Sequence, residues 1–282
     1  MIVDDHMHLG GLFKDTDYFI RCLDEAGIDF VLATPYMFED KDIPWILKRK
    51  NIPPWLAGTK IAMHLTSKVM KNKRFGKRYI NIPPNAYVAE MARKYPERIC
   101  GVYWVNPNLE GIKEAEQYLI RHDFVALKLH QVLYPCEFSQ KNLEIFNLAN
   151  EYRVPVFVHT SCKQEVKIMS KHMEKRPNLN VILAHMNYFE EMAEEITQFP
   201  NIHLDISPLY AQKDSKILAA IEKAGADRVI FGTDSPCPGT QKYAVERVKR
   251  LDIPEEDKNK ILGENIVKLI NQRVTLQDRK SC

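Results

Sequence analysis

Short apolar runs alternate with longer amphipathic segments along most of this chain of 282 residues. Most of the apolar runs are rich in Val, Ile and Leu and contain few polar residues, which is typical of strands covered on both faces. Amphipathic segments such as Thr16–Ala26 and Gln140–Tyr152 separate them and predict helices. The predicted strands are residues 2–8, 29–34, 99–105, 125–130, 155–159, 180–185, 202–206 and 228–232.

A regular alternation of strands and helices predicts a parallel sheet. Eight such units in a chain of this length favour a closed α/β fold, the (β/α)8 TIM barrel, over an open sheet. No GxGxxG sequence follows the first predicted strand, which argues against an open sheet that binds a dinucleotide. We therefore expect one barrel domain over residues 1–282.

The alternation of predicted strands and helices is interrupted once, after the second predicted strand. Residues from about 36 to 84 are too many for an ordinary loop and contain helical patterns near 43–49 and 59–72. We interpret this segment as a helical insertion in the barrel.

Composition excludes several classes of protein. Lys and Arg total 40 and Asp and Glu total 37, a net charge of +3, which is too balanced to predict nucleic acid or an anionic membrane as the partner. No apolar run reaches the ~18 residues of a membrane span, and the first residues lack the pattern of a signal peptide. The six cysteines show no CxxC spacing and are too sparse in the chain to form a disulfide framework. These features predict a cytoplasmic protein with reduced thiols and a small-molecule substrate.

Polar residues are concentrated where the predicted strands end. Five of the nine histidines lie at such ends, and Asp205 and Asp234 lie in or just after the last two strands. In a barrel the carboxyl ends of all strands meet at one rim, which is where active sites are built. Because burying polar groups is costly unless they have partners, packing alone does not explain this pattern. The histidines at strand ends are His6, His8, His130, His159 and His185.

The pair His6 and His8 predicts a metal site. Residues two apart on a strand point the same way, so both imidazoles can bind one cation such as Zn²⁺. Asp234 follows the eighth strand, which lies beside the first when a barrel closes, and it can bind the metal and accept a proton from an activated water. His185 is then available as a general acid or base, or to polarise a substrate carbonyl. Taken singly, each motif also has a structural interpretation: HxH alone is a weak signal, and Asp234 could cap a helix.

Lys128 and His130 lie at the end of the fourth strand, and several roles are consistent with their position. A buried lysine could be carbamylated and bridge two metals, neutralise the site or contact an anionic substrate. It could also pair with a carboxylate such as Asp205, and we favour this pairing, or a supporting role behind the metal ligands, over the bridging role. His130 points the same way as Lys128 and has the same alternatives.

The chain resembles the amidohydrolase superfamily, in its amidohydrolase-related (amidohydrolase 2) branch, which includes aminocarboxymuconate-semialdehyde decarboxylase. The resemblance implies a divalent metal, Zn²⁺ first and Mn²⁺ as the alternative, held by His6, His8, His159 and Asp234. It also implies that His185 and Asp234 are catalytic and that a homodimer is plausible. Met186 and Gln131 depart from the glycine and proline that are frequent in the branch. The resemblance is carried by IVDDHMH (2–8), ALKLHQ (126–131), VFVHT (156–160), ILAHM (182–186), HLDIS (203–207), IFGTDSP (230–236) and ILGENIVKLI (261–270).

These features favour a metal-dependent hydrolase acting on a small amide, ester or lactone through a metal-activated water. The alternative is metal-dependent nonoxidative decarboxylation of a small carboxylic acid at the same site. A phosphoesterase that also begins with HxH ranks lower, because it needs more metal ligands than the sequence offers. A barrel that has lost catalysis and serves as a scaffold is disfavoured by the complete set of ligands.

Overall fold

The computed structural model of the protein describes residues 1–36, 84–105, 111–121, 124–131, 140–209, 212–236 and 241–272. In this part of the chain eight strands form one sheet in the order β1 to β8, and each pairs in parallel with the next. The strands are β1 (Val3–Leu9), β2 (Phe30–Pro35), β3 (Ile99–Trp104), β4 (Phe124–His130), β5 (Val156–His159), β6 (Val181–Leu183), β7 (Ile202–Asp205) and β8 (Val229–Ile230).

Backbone hydrogen bonds between β1 and the segment that contains β8 close the sheet. The N–H of Asp5 donates to the carbonyl of Phe231 (3.0 Å), and the N–H of Asp234 donates to the carbonyl of His6 (2.7 Å). A parallel bridge between Met7 and Ser235 continues this contact. The predicted (β/α)8 barrel is therefore confirmed.

Helices follow the strands as the amphipathic pattern predicts. The helix of residues 16–26 begins and ends as predicted: the side chain of Asp15 accepts a hydrogen bond from the N–H of Tyr18, and Gly27 adopts the left-handed conformation (φ 68°) that ends the helix. The helices are α1 (Thr16–Ala26), α2 (Asn85–Lys94), α3 (Ile112–Ile120), α4 (Gln140–Tyr152), α5 (Lys163–Met173), α6 (Phe189–Thr197), α7 (Asp214–Ala224), α8 (Gln241–Lys249), α9 (Glu255–Asn259) and α10 (Asn265–Ile270).

The apolar core has two layers, which follow from the alternation of side chains along each strand. One layer lies between the strands and the helices and includes Met7, Leu127 and Val158. The other fills the barrel, where seven strands each contribute one side chain and α10 adds two. This inner cluster comprises Val3, Leu32, Val102, Ala126, Phe157, Ile182, Ile230, Ile266 and Leu269. This cluster lies directly beneath the histidines of the rim, since the ring of Phe157 contacts that of His6.

The structure differs from the sequence prediction at several boundaries; β8, for example, ends at Ile230 rather than at residue 232. β6 ends at Leu183 and a 3-10 turn (Ala184–Met186) follows, whereas the strand was predicted to run to His185. The two helices predicted near the C-terminus are joined by a π-helical turn, Lys260–Glu264. The predicted insertion, apart from its two ends, lies outside the described residues. Within the described part, no helix is long and apolar enough to cross a membrane.

Candidate metal centre

The first two predicted ligands lie at the upper end of β1, directly above the inner cluster. The ring of His6 contacts that of Phe157, with a centroid distance of 5.9 Å, and the centroids of His6 and His8 are 5.4 Å apart. Both histidines are buried. The spacing of two along a strand therefore brings two imidazoles to one rim, as predicted.

Asp234 joins these two histidines from the other end of the chain. Its Oδ1 lies 3.1 Å from Nε2 of His8 and 3.6 Å from Nε2 of His6. The ligand atoms of the three residues all lie within 4.8 Å of one another. Two imidazole nitrogens and one carboxylate oxygen at this spacing form a donor set that suits a divalent cation.

His159 lies beside this group rather than in it. Its Nδ1 is 3.1 Å from Nε2 of His185, and neither of the two groups of converging donor atoms in the described residues includes it. The second group consists of His6, His185 and Asp205. The role of His159 as a further ligand therefore stays a prediction.

The backbone of His185 is strained, because its φ is 63° within the 3-10 turn after β6. Its ring is held on the far side by Ser207, whose carbonyl oxygen is 3.0 Å and whose hydroxyl is 3.1 Å from Nδ1. Its ring stacks on that of His6 at a centroid distance of 5.1 Å. The turn thus places the predicted catalytic histidine against a predicted metal ligand.

Asp205 has a role that the sequence analysis missed. Its Oδ2 lies 2.7 Å from Nδ1 of His6 and also accepts a hydrogen bond from the hydroxyl of Ser207. The sequence offered one signal, a carboxylate at the end of a buried strand, but we considered it only as a partner for Lys128. Ser207 carried no signal beyond its position two residues later.

Lys128 reaches the same cluster from β4. Its Nζ lies 2.6 Å from Nε2 of His6 and 5.0 Å from the centroid of the Trp104 ring. His130 forms the middle of a stack of three rings, 4.1 Å from His159 and 5.5 Å from Trp104 between centroids. Lys128 therefore contacts a predicted metal ligand directly, and His130 packs against another.

The environment sets the charge of the predicted ligands. Burial, aided by the charge of Lys128, lowers the pKa of His6 to about 4 and also lowers that of His8. Burial opposes ionisation of Asp234, but the hydrogen bond with His8 and the interactions with His185 and His6 outweigh it and hold its pKa well below the usual range. At neutral pH the site thus offers neutral imidazoles and an ionised carboxylate, the forms that bind a metal.

Two further carboxyl groups lie below the centre on β1. Asp4 accepts hydrogen bonds from Thr233, but burial raises its pKa to about 7. Both carboxyl oxygens of Asp5 are buried without a hydrogen-bond partner among the described residues, and burial, together with the nearby charge of Asp205, raises its pKa well above the usual range. A Cβ atom on Gly232 would overlap Asp5, so glycine at 232 leaves the space that Asp5 occupies. The sequence analysis did not identify Asp5.

Comparisons with known proteins identify the family and the fold. A model of the Amidohydrolase family matches residues 80–271. No curated protein matches the chain.

Solved structures with the same fold cover nearly the whole chain. They include 2,6-dihydroxybenzoate decarboxylase from Rhizobium (17% identity, TM-score 0.65, covering 96% of this chain and 98% of that one). A dihydroxybenzoic acid decarboxylase from a Polaromonas species, with bound manganese and the inhibitor 2-nitroresorcinol, aligns at 16% identity and TM-score 0.64, with coverage of 97% and 98%. A 4-oxalomesaconate hydratase from Rhodopseudomonas palustris aligns at 13% identity and TM-score 0.65, with 96% of both chains covered. At these identities the likeness establishes the shared fold.

Proposed function

Because the chain belongs to the amidohydrolase family, we propose that it is a metal-dependent hydrolase of a small amide, ester or lactone, with the cation held by His6, His8, His159 and Asp234. The observation that carries this proposal is the convergence of donor atoms from His6, His8 and Asp234 within 4.8 Å. These residues come from opposite ends of the chain, and a shared cation gives a reason for burying them together.

Zn²⁺ is the cation we propose first, since imidazole and carboxylate donors suit it, and Mn²⁺ is the alternative. The bound manganese of the Polaromonas decarboxylase supports the alternative. When bound, such a cation acts as a Lewis acid and brings the pKa of a coordinated water to about 7.

Asp234 and His185 would divide the proton transfers of hydrolysis between them. Asp234 is ionised at neutral pH and would accept the proton of the water that attacks the substrate carbonyl carbon. Nε2 of His185, which lies 3.1 Å from Nδ1 of His159, would take up the proton collected by Asp234 and then pass it to the departing nitrogen or oxygen as its bond to carbon breaks.

Nonoxidative decarboxylation is the second candidate, and the position of Lys128 favours it. Its Nζ brings a buried cationic group to 2.6 Å from a ligand nitrogen of His6, where a substrate carboxylate would find a charge partner. The names of two similar structures add support, since both are decarboxylases of dihydroxybenzoic acids. In this reaction the bond from carbon to the carboxylate breaks, CO₂ leaves and the carbon takes up a proton.

Metal analysis of the purified protein tests what both reactions share. We expect about one divalent cation per chain in the wild type and a loss of most of it in His6→Ala and Asp234→Ala. His172→Ala is the matched control, because His172 lies on α5, and its metal content should equal that of the wild type. Unchanged metal in both site variants would refute the proposed centre.

A substrate panel then separates the two reactions. Lactones, esters, amides and aromatic carboxylates would be incubated with the metal-loaded protein, with acid release and CO₂ release followed in parallel. Acid release without CO₂, abolished in Asp234→Ala, supports hydrolysis. Release of CO₂ from a carboxylate supports the second candidate instead.

A further inference from the structure

One carboxylate and one serine contact the Nδ1 atoms of two histidines of the site. Oδ2 of Asp205 lies 2.7 Å from Nδ1 of His6 and 2.6 Å from the hydroxyl of Ser207. That hydroxyl also lies 3.1 Å from Nδ1 of His6 and 3.1 Å from Nδ1 of His185. We refer to these two residues as the Asp205–Ser207 anchor.

The anchor itself is rigidly placed. Both of its residues are completely buried, and the backbone N–H of Ser207 donates to Oδ1 of Asp205 at 2.6 Å. Both oxygens of the carboxylate therefore have a donor. A buried carboxylate with this many partners is fixed in one orientation.

The hydrogen-bond partners of each histidine ring determine which of its nitrogens carries the proton. Oδ1 of Asp205 accepts a hydrogen bond from the backbone N–H of Ser207 and Oδ2 accepts one from its hydroxyl, so the carboxyl group acts as an acceptor on both oxygens. Nδ1 of His6 must therefore carry the proton it shares with Asp205, and Nε2 is left with the lone pair. This is the nitrogen that lies closest to Asp234.

The partners of His185 determine its tautomer in the same way. The hydroxyl of Ser207 gives its single proton to Asp205, so towards His185 it can only accept, and the carbonyl of Ser207 is also an acceptor. Nδ1 of His185 must carry a proton, and its Nε2 can accept from Nδ1–H of His159, 3.1 Å away. His159 is then left with its lone pair on Nε2.

We propose that Asp205 and Ser207 are positioning residues that fix the tautomers of His6 and His185, and through His185 that of His159, so that the rings of His6 and His159 present Nε2 to the cation. This inference rests on the proposed metal centre. It assigns a function to two residues that contact neither the cation nor the substrate. Carboxylates that orient metal-binding histidines in this way have large effects on metal affinity.

A second set of contacts supports the anchor from the loop after β7. The amide nitrogen Nε2 of Gln212 donates to the carbonyl of His185 (2.9 Å) and to that of Ser207 (3.2 Å). Arg247 of α8 in turn donates to the carbonyls of Leu209 and Gln212. These bonds hold the strained turn of His185 and the anchor at a fixed separation.

The test uses the full-length protein and two measurements. Long-range ¹H–¹⁵N NMR of histidine-labelled, metal-free protein reports which ring nitrogen carries the proton. Competition against a chelator gives the affinity for Zn²⁺. The variants are Asp205→Asn, Ser207→Ala and Ser207→Thr, with Ser170→Ala as the matched control, because Ser170 is a buried serine that bonds to the carbonyl of Val166 in α5.

In the wild type we expect His6 and His185 to be protonated on Nδ1. Asp205→Asn should give His6 a mixture of tautomers and weaken Zn²⁺ binding by about 10- to 100-fold. Ser207→Ala should weaken binding less, and Ser207→Thr, which restores a hydroxyl, should recover it. Ser170→Ala should leave tautomers and affinity unchanged even if it lowers the melting temperature, since a purely structural loss does not move either readout.

Two results would overturn the inference: an Nε2-protonated His6 in the wild type, or unchanged tautomer and affinity in a folded Asp205→Asn. If Asp205→Asn does not fold, the wild-type tautomers and the Ser207 pair still decide the question. His6→Ala separates this failure from that of the proposed function. If His6→Ala loses Zn²⁺ while Asp205→Asn binds it as tightly as the wild type, only the role of the anchor is refuted. If His6→Ala still binds Zn²⁺ fully, the metal centre itself is refuted.

Discussion

Thr233 donates two hydrogen bonds to the carboxyl group of Asp4, one from its backbone nitrogen at 2.9 Å and one from its hydroxyl at 2.6 Å. The two residues are 229 positions apart in sequence, and both are buried. This contact ties the first strand to the segment after the eighth, immediately beside Asp234. The closure of the barrel and the construction of the metal centre therefore depend on the same few residues.

We predict that Thr233→Val destabilises the protein. Valine keeps the shape of threonine but removes a hydroxyl that donates to a buried carboxyl group, which costs about 1–3 kcal/mol. Urea unfolding of the metal-free protein measures the change. The double variant with Asp4→Leu should lose less than the sum of the two single changes, because the partners are removed together. Additive losses would mean that the two side chains do not interact.

We predict that Lys128→Met increases the affinity for Zn²⁺. The Nζ atom is 2.6 Å from Nε2 of His6, so its charge repels a divalent cation bound there. Methionine has a similar shape without the charge, and we expect affinity to rise on the order of tenfold or more in a chelator competition assay.

The same assay reveals whether Lys128 acts as a ligand instead. A fall in affinity in Lys128→Met would contradict simple repulsion. His172→Ala again serves as the control that should not change.

We predict that Gly232→Ala disrupts the centre. A Cβ atom at this position would overlap Oδ1 of Asp5 and come within 2.9 Å of Oδ1 of Asp205 and Cβ of His6. Displacing these groups should cost about 1–3 kcal/mol of stability and weaken Zn²⁺ binding. Thermal unfolding and the chelator assay measure both effects.

Gly111→Ala is the matched control for this change. The nearest atom to its added Cβ is the backbone nitrogen of Lys113 at 4.0 Å, so stability should change little. Equal losses in the two alanine variants would show that the crowding around Gly232 is not the cause.

We predict that His203 makes the stability of the metal-free protein depend on pH. His203 lies on β7, and burial and the charge of Arg228 lower its pKa from 6.5 to about 4. Between these two values the unfolded chain binds a proton that the folded protein does not, so stability is complete above pH 6.5 and falls as the pH decreases.

The comparison with His203→Gln measures this contribution. From pH 7 to pH 5 the wild type should lose about 2 kcal/mol more than the variant in urea unfolding experiments. Other buried histidines contribute to both proteins and cancel in the difference. The prediction is wrong if the two proteins lose the same stability over this range.

The sequence alone determined the barrel and much of the rim. Strand composition and the alternation with amphipathic helices depend on local patterns, and these patterns specify which side of each strand is buried. Because the carboxyl ends of parallel strands meet, the sequence also predicted that His6, His8 and Asp234 would converge, and their donor atoms do so within 4.8 Å.

Only the tertiary structure decided which atoms meet. The left-handed turn at His185, the contact of His159 with that ring, the placement of Asp205 on Nδ1 of His6 and the reach of Lys128 to its Nε2 depend on side-chain directions from different strands. The alternation of side chains along a strand predicts that a residue faces the barrel interior. It does not predict which neighbouring side chain lies within hydrogen-bonding distance. That choice depends on the register between strands and on rotamers, which are set when the whole barrel packs.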